Sequence, residues 1–119
     1  MGDKAARAAE YLGHILRAIE RIDRYTEDMS EPELFTSEIT QDAVIRNFEI
    51  IGEVSRNIER NCPEFAAAHP DLPLINAYEM RNALAHGYFR VDLEILWKPM
   101  QNDLPALQRQ LAATIEDPN

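Results

Sequence analysis

Ala8-Ala9-Glu10-Tyr11-Leu12-Gly13-His14-Ile15-Leu16-Arg17-Ala18-Ile19-Glu20-Arg21-Ile22 is the stretch whose reading decides the fold. Its apolar residues Ala8, Leu12, Ile15, Ile19 and Ile22 advance in alternating steps of four and three, and the series continues to Met29 with Thr26 in the one polar slot. Such steps return a side chain to one helical face, so the spacing predicts a long amphipathic helix from about Lys4 to Asp28, with Asp3 as its N-cap. Glu31-Pro32-Glu33 interrupts the pattern, because proline cannot continue a helix and disfavours the helical conformation of the residue before it.

Working outward, Val44, Phe48, Ile51 and Ile58 form a second stripe, widened by Ile45 and Val54, which predicts a helix from about Thr40 to Arg60 ended by Asn61 and Pro63. Residues 61–73 hold three prolines and read as a loop with a short helical turn at Pro63 to Ala68. A third helix is expected from Pro73, favoured in a first turn, to His86, with Gly87 as its stop. Leu93, Trp97, Met100, Leu104, Leu107 and Leu111 mark a fourth segment beginning at the N-cap Asp92. Pro99 and Pro105 within it predict either one bent helix or two short ones. No strand signal competes, and the expected architecture is an all-α antiparallel bundle of four to five helices forming a single domain over residues 1–119. The heptad-like seams of the first and last helices would equally serve self-association.

The chain carries 21 Asp+Glu against 12 Lys+Arg, a formal charge of −9, with 45% hydrophobic and 28% charged residues. That composition supports a packed core and argues against wholesale disorder. It also argues against a general electrostatic nucleic-acid binder, which draws its affinity from Lys and Arg on phosphates. No apolar run is long enough to span a bilayer, and Met1-Gly2-Asp3-Lys4-Ala5 lacks the apolar core of a secretory signal, so a cytoplasmic protein is expected. Cys62 is the only cysteine, which excludes an internal disulfide and every multi-cysteine zinc site; it reads as a thiol at a loop or helix end. His14, His69 and His86 lack the spacing of a metal site, and no metal or cofactor is expected.

The charge is uneven along the chain. Residues 1–40 carry 9 acids and 5 bases, and residues 41–72 carry 6 and 3, whereas residues 73–100 are balanced at 3 and 3. The balanced segment holds the string Met80-Arg81-Asn82-Ala83-Leu84-Ala85-His86-Gly87-Tyr88-Phe89. An Arg and a His five apart are separated by about 140° on a regular helix, so the break at Gly87 would have to bring them to one groove. An imidazole titrating near neutrality beside a fixed guanidinium suits phosphodiester chemistry: the ring takes or gives a proton, and the arginine holds the developing phosphorane charge. Asn82 adds a neutral donor and acceptor, and Tyr88 a hydroxyl. The alternative is plain structure, with Arg81 paired to an acid and His86 capping its helix. Glu49 and Glu53 on the second helix could orient Arg81, although charges one turn apart are commonly surface decoration, as for Asp42 and Arg46.

Arg81-Asn82-x-x-x-His86-Gly87-Tyr88-Phe89, followed by Val91-Asp92 and Trp97, closely resembles the HepT-like branch of the HEPN superfamily, whose signature is R-x-x-x-x-H-x-Y. The segment Asp42-Ala43-Val44-Ile45-Arg46-Asn47-Phe48-Glu49-Ile50-Ile51-Gly52-Glu53 and the C-terminal Leu104-Pro105-x-Leu107 resemble the same family. Leu74 departs from it, standing after Pro73 where members often carry a tryptophan. The resemblance implies a HEPN-like helical toxin of a type II toxin–antitoxin pair, acting as a metal-independent endoribonuclease. It further implies a homodimer in which two motifs face one cleft. Arg81 would bind phosphate and the transition state, His86 would act as general base or acid, and Asn82 would support them. A 2′,3′-cyclic phosphate would be left on the RNA. Tyr88 would be the position to which the cognate nucleotidyltransferase antitoxin adds AMP, a bulky anionic group beside Arg81 and His86. The alternative within the resemblance is a non-catalytic helical module that partners a nucleotidyltransferase.

Overall fold

The computed structural model describes residues 2–70, 72, 97 and 99–116, and every element within them is helical. The first predicted helix is α1, Gly2–Tyr25. It starts before Asp3, which therefore lies in the first turn and is not the N-cap. It also stops three residues short of the expected Asp28, for a local reason. The Thr26 hydroxyl and amide both donate to the Ile22 carbonyl, at 2.7 and 3.1 Å, and the Met29 amide closes a turn on the Thr26 carbonyl at 3.0 Å. Asp28 takes the left-handed conformation at φ 61°, the usual way a helix is stopped, here without glycine.

Glu31-Pro32-Glu33, read from sequence only as an interruption, opens a helix of its own, α2 (Glu31–Thr36). Ser30 caps it: its hydroxyl accepts from the Glu33 amide at 3.3 Å, and the Glu33 carboxylate accepts back from the Ser30 hydroxyl at 2.9 Å and amide at 3.4 Å. Ser-x-x-Glu is a capping box, and a proline in a first turn sacrifices no intrahelical bond. Leu34, fully buried, ties this short helix to the core.

Ser37 ends α2 and caps α3 (Glu38–Asn61) at once. Its amide donates to the Leu34 carbonyl at 3.3 Å while its hydroxyl accepts from the Thr40 amide at 3.4 Å, so the helix begins two residues before the predicted Thr40. The apolar stripe of α3, Val44, Phe48, Ile51 and Ile58, is buried as expected, together with Ser55 and Asn47. Cys62 sits buried at the end of α3, its amide donating to the Ile58 carbonyl at 2.8 Å. Pro63 then starts α4 (Pro63–Ala68), the expected helical turn.

The third predicted helix, from Pro73 to His86, and the predicted N-cap Asp92 lie outside the described residues. The fourth segment stays helical from Pro99 onward but changes its hydrogen-bond register along the way. A π-helical turn, Pro99–Asp103, leads into α5 (Leu104–Glu116), with Pro105 tolerated in the first turn. Met100, Leu104, Leu107 and Leu111 are buried.

α1 packs against α3 and α5. Asn61, at the C-terminal end of α3, donates to the Tyr11 hydroxyl in the N-terminal half of α1 at 3.0 Å, as expected of two long helices that run antiparallel. Their facing stripes, with Leu34 and the α5 leucines, make one core. The result is the all-α bundle expected. Among the described residues, no helix is long and apolar enough to cross a membrane.

Two outcomes follow for stability. Asp28→Val should destabilise the fold by about 1–2 kcal/mol, the cost of a side chain poorly suited to left-handed backbone, while Asp28→Gly should not; equal denaturant midpoints for the two variants would contradict the turn. The Asp23 carboxyl is pushed above its ordinary value, first by partial desolvation and then by repulsion from Glu20. The folded chain thus holds that proton more tightly than the unfolded chain does. The resulting stability is complete below pH 3.8 and is lost as the pH rises through the folded-state value. Asp23→Asn should therefore be more stable than the parent at neutral pH, with an advantage that shrinks as the pH falls; an advantage independent of pH would refute this.

Candidate functional site

The four residues singled out from sequence, Arg81, Asn82, His86 and Tyr88, lie outside the described residues. What the structure describes is the frame on either side of them. Leu72 before that segment is buried, and Trp97 after it is half-buried against the core, so both ends of the intervening chain are anchored to the bundle.

The other charged candidates fall on exposed faces. On α3, Arg46 reaches forward to Glu49 with a 3.5 Å contact, and the arginine side chain is largely exposed. Such a pair contributes at most about 0.5 kcal/mol. His14 accepts a hydrogen bond at Nδ1 from the Arg17 guanidinium at 2.8 Å, since a guanidinium can only donate. Its Nε2 lies 3.9 Å from Glu10, so this histidine is held in a surface row along α1. His69 stacks on Phe65, ring centroids 4.3 Å apart, at the end of α4. Among the described residues, no group of His, Cys, Asp and Glu is arranged to hold a metal ion.

Two features of this frame were not singled out from the sequence. Asn47 is buried within α3 with its Nδ2 donating to the Ala43 carbonyl at 2.8 Å, and among the described residues its Oδ1 has no partner. A buried carboxamide is an uncommon choice for a core position. By contrast, Ser55, also buried, satisfies its hydroxyl on the Ile51 carbonyl at 2.7 Å. The signal for Asn47 was available, since it stands three residues after Val44 and four before Ile51, inside the apolar stripe. The second feature is the outward face of α1. Arg7, Arg17, Arg21 and Arg24 are all exposed there, in a chain whose net charge of −9 conceals them.

Comparison with known proteins adds what this geometry leaves open. The family model described as ribonuclease HepT-like matches residues 15–114, a span that contains the whole Arg81 to Tyr88 motif. A "Gamma-glutamylcyclotransferase and putative RNase" of Methanocaldococcus jannaschii is 41% identical over 107 residues; the match takes in 90% of this chain but only 47% of that protein, so the chain spans about half its length. A "Probable ribonuclease HepT" of Thermococcus cleftensis is 40% identical over 99 residues, covering 83% of this chain and 87% of the relative. A second M. jannaschii protein, a "Putative RNase", is 33% identical over 101 residues, covering 85% and 90%. No solved structure matches the chain. With the family model spanning residues 15–114 and a relative 40% identical over most of both chains, the protein belongs to the HepT-like ribonuclease family.

Proposed function

We propose that this chain is a metal-independent endoribonuclease, the toxin of a type II toxin–antitoxin pair, acting in the cytoplasm as a homodimer with Arg81 and His86 of both copies at one cleft. The observation that carries the reading is the family match across residues 15–114, which takes in every residue of the R-x-x-x-x-H-x-Y motif, joined by several relatives whose names include ribonuclease or RNase. The anchoring of Leu72 and Trp97 in the core on either side of the motif supports it.

The residues suffice for the reaction. A His86 imidazole takes the proton of a ribose 2′-hydroxyl, and the 2′ oxygen attacks the adjacent phosphorus. The bond from phosphorus to the 5′ oxygen breaks, and that oxygen receives a proton from the second copy's imidazolium. One RNA fragment keeps a 2′,3′-cyclic phosphate and the other a 5′-hydroxyl. In-line cleavage needs a base and an acid on opposite sides of the phosphorus, and a dimer with one histidine per copy supplies both. Arg81 stabilises the negative charge that grows on the phosphoryl oxygens. Asn82 orients the two. No step requires a metal.

Control would run through Tyr88. A nucleotidyltransferase antitoxin would transfer AMP from ATP to the Tyr88 hydroxyl, releasing pyrophosphate. The added phosphate would compete with RNA for Arg81 and obstruct the cleft.

Purified chain is expected to cleave RNA in the presence of EDTA, leaving cyclic phosphate ends identifiable by mass spectrometry. His86→Ala should lower the rate by about 100- to 10,000-fold, the usual contribution of a positioned acid or base; undiminished cleavage by that variant would refute the assignment. Incubation with the cognate transferase and ATP should add AMP mass to the parent chain and none to Tyr88→Phe, and an equal shift in both would exclude Tyr88 as the acceptor.

A further inference from the structure

The net charge of −9 conceals a segregated helix. At 100° per residue, Arg7, His14, Arg17, Arg21 and Arg24 fall within an arc of about 100° on α1. The buried stripe of Leu12, Ile15, Ile19 and Ile22 lies on the other side of the same helix. All four arginines are exposed, and the arc runs about 25 Å along the helix at 1.5 Å per residue. Between Arg7 and Arg24, Glu10 is the one carboxylate position within the arc, and Glu10 faces His14; Asp3 falls on the same arc one turn before Arg7. Among the described residues, none of the four arginines is ion-paired to a carboxylate. At the end of the row the Arg24 guanidinium lies 5.6 Å over the ring of Tyr25, which is itself 39% exposed.

We infer that this outer face of α1 is a second RNA-binding surface, one that holds the sugar–phosphate backbone of single-stranded RNA away from the cleavage motif. The inference rests on the ribonuclease reading above and extends it. Arg17, Arg21 and Arg24 follow one another at single-turn spacing, with Arg7 about 15 Å further along the same face, and such a series suits repeated phosphates because each planar fork can take two phosphate oxygens. The surrounding acidic surface repels RNA and so confines it to this track. Tyr25, polarised by Arg24, offers a π-face at the end of the row on which a base can stack without regard to its identity. The surface is therefore sequence-tolerant and sensitive to salt, and it raises affinity for long RNA over short.

The test uses the full chain carrying His86→Ala, so that binding is read without cleavage, with a fluorescent single-stranded RNA of about 20 nucleotides titrated across a salt series. Arg17→Gln with Arg21→Gln should weaken binding about tenfold or more and should flatten the slope of log affinity against log salt by about 1.4, since each lost contact to single-stranded RNA removes about 0.7. Circular dichroism should be unchanged, as glutamine is as good a helix former as arginine. Glu10→Gln should act in the opposite direction and tighten binding, a gain that misfolding cannot produce. Parent-like affinity and slope in the double variant would overturn the proposal. So would unchanged RNA binding accompanied by loss of a complex with the acidic face of a protein partner, which would reassign the row to a protein interface. If the ribonuclease reading alone is wrong, RNA cleavage is absent in the parent while the binding arm keeps its expected pattern.

Discussion

Burial of one apolar stripe of α1 against one apolar stripe of α3 is the constraint on which the rest of this molecule depends. Leu12, Ile15, Ile19 and Ile22 on one side, with Val44, Ile51 and Ile58 on the other, are almost entirely withdrawn from water. Each such side chain contributes about 1.5–3 kcal/mol when removed from solvent, and neither helix would hold its shape alone on propensity. The antiparallel pairing, fixed at one end by Asn61 on Tyr11, sets where every other piece can go. Leu34 brings α2 onto the pair, and Met100, Leu104, Leu107 and Leu111 bring the C-terminal elements. Leu72, before the segment that carries the proposed site, is a member of that same core, and Trp97, after it, packs against it.

The packing also orients the charge. Once the isoleucine stripe of α1 is committed to α3, its arginines have only the solvent face left to them. A chain that would repel polyphosphate on average thereby acquires one local row of guanidiniums, interrupted between Arg7 and Arg24 by Glu10. Under the proposed function this separates two tasks: cleavage at Arg81 and His86, and retention of the RNA backbone along α1. An acidic remainder then serves to keep RNA off the other surfaces.

Much of the fold was legible as periodicity. The stripes of both long helices, the helical turn at Pro63 to Ala68, and the irregular start of the last segment at Pro99 follow from the spacing of apolar residues and the stereochemistry of proline. What was misread is local hydrogen-bond chemistry. Ser30-Glu31-Pro32-Glu33 looks like a break if proline alone is weighed, yet it opens α2 because Ser30 and Glu33 satisfy one another's amides. The early stop of α1 rests on the Thr26 hydroxyl and a left-handed Asp28, neither of which has a hydrophobic signature. The motif Arg81-x-x-x-x-His86-x-Tyr88 was visible in the residues themselves, as was the place of Asn47 inside the apolar stripe, whereas the burial of its carboxamide had to come from the packed structure.

The amino-acid order by itself determined that this is a helical chain, since steps of four and three admit no other regular structure, and it determined the family through a motif whose residues are contiguous in sequence. Tertiary structure decided what depends on neighbours: which polar groups are buried, which carbonyls end a helix, and which side of α1 meets water. Charge counted along a sequence is a scalar, whereas charge on a folded helix has a direction. The row from Arg7 to Arg24 exists only once the opposite face has been taken by the core.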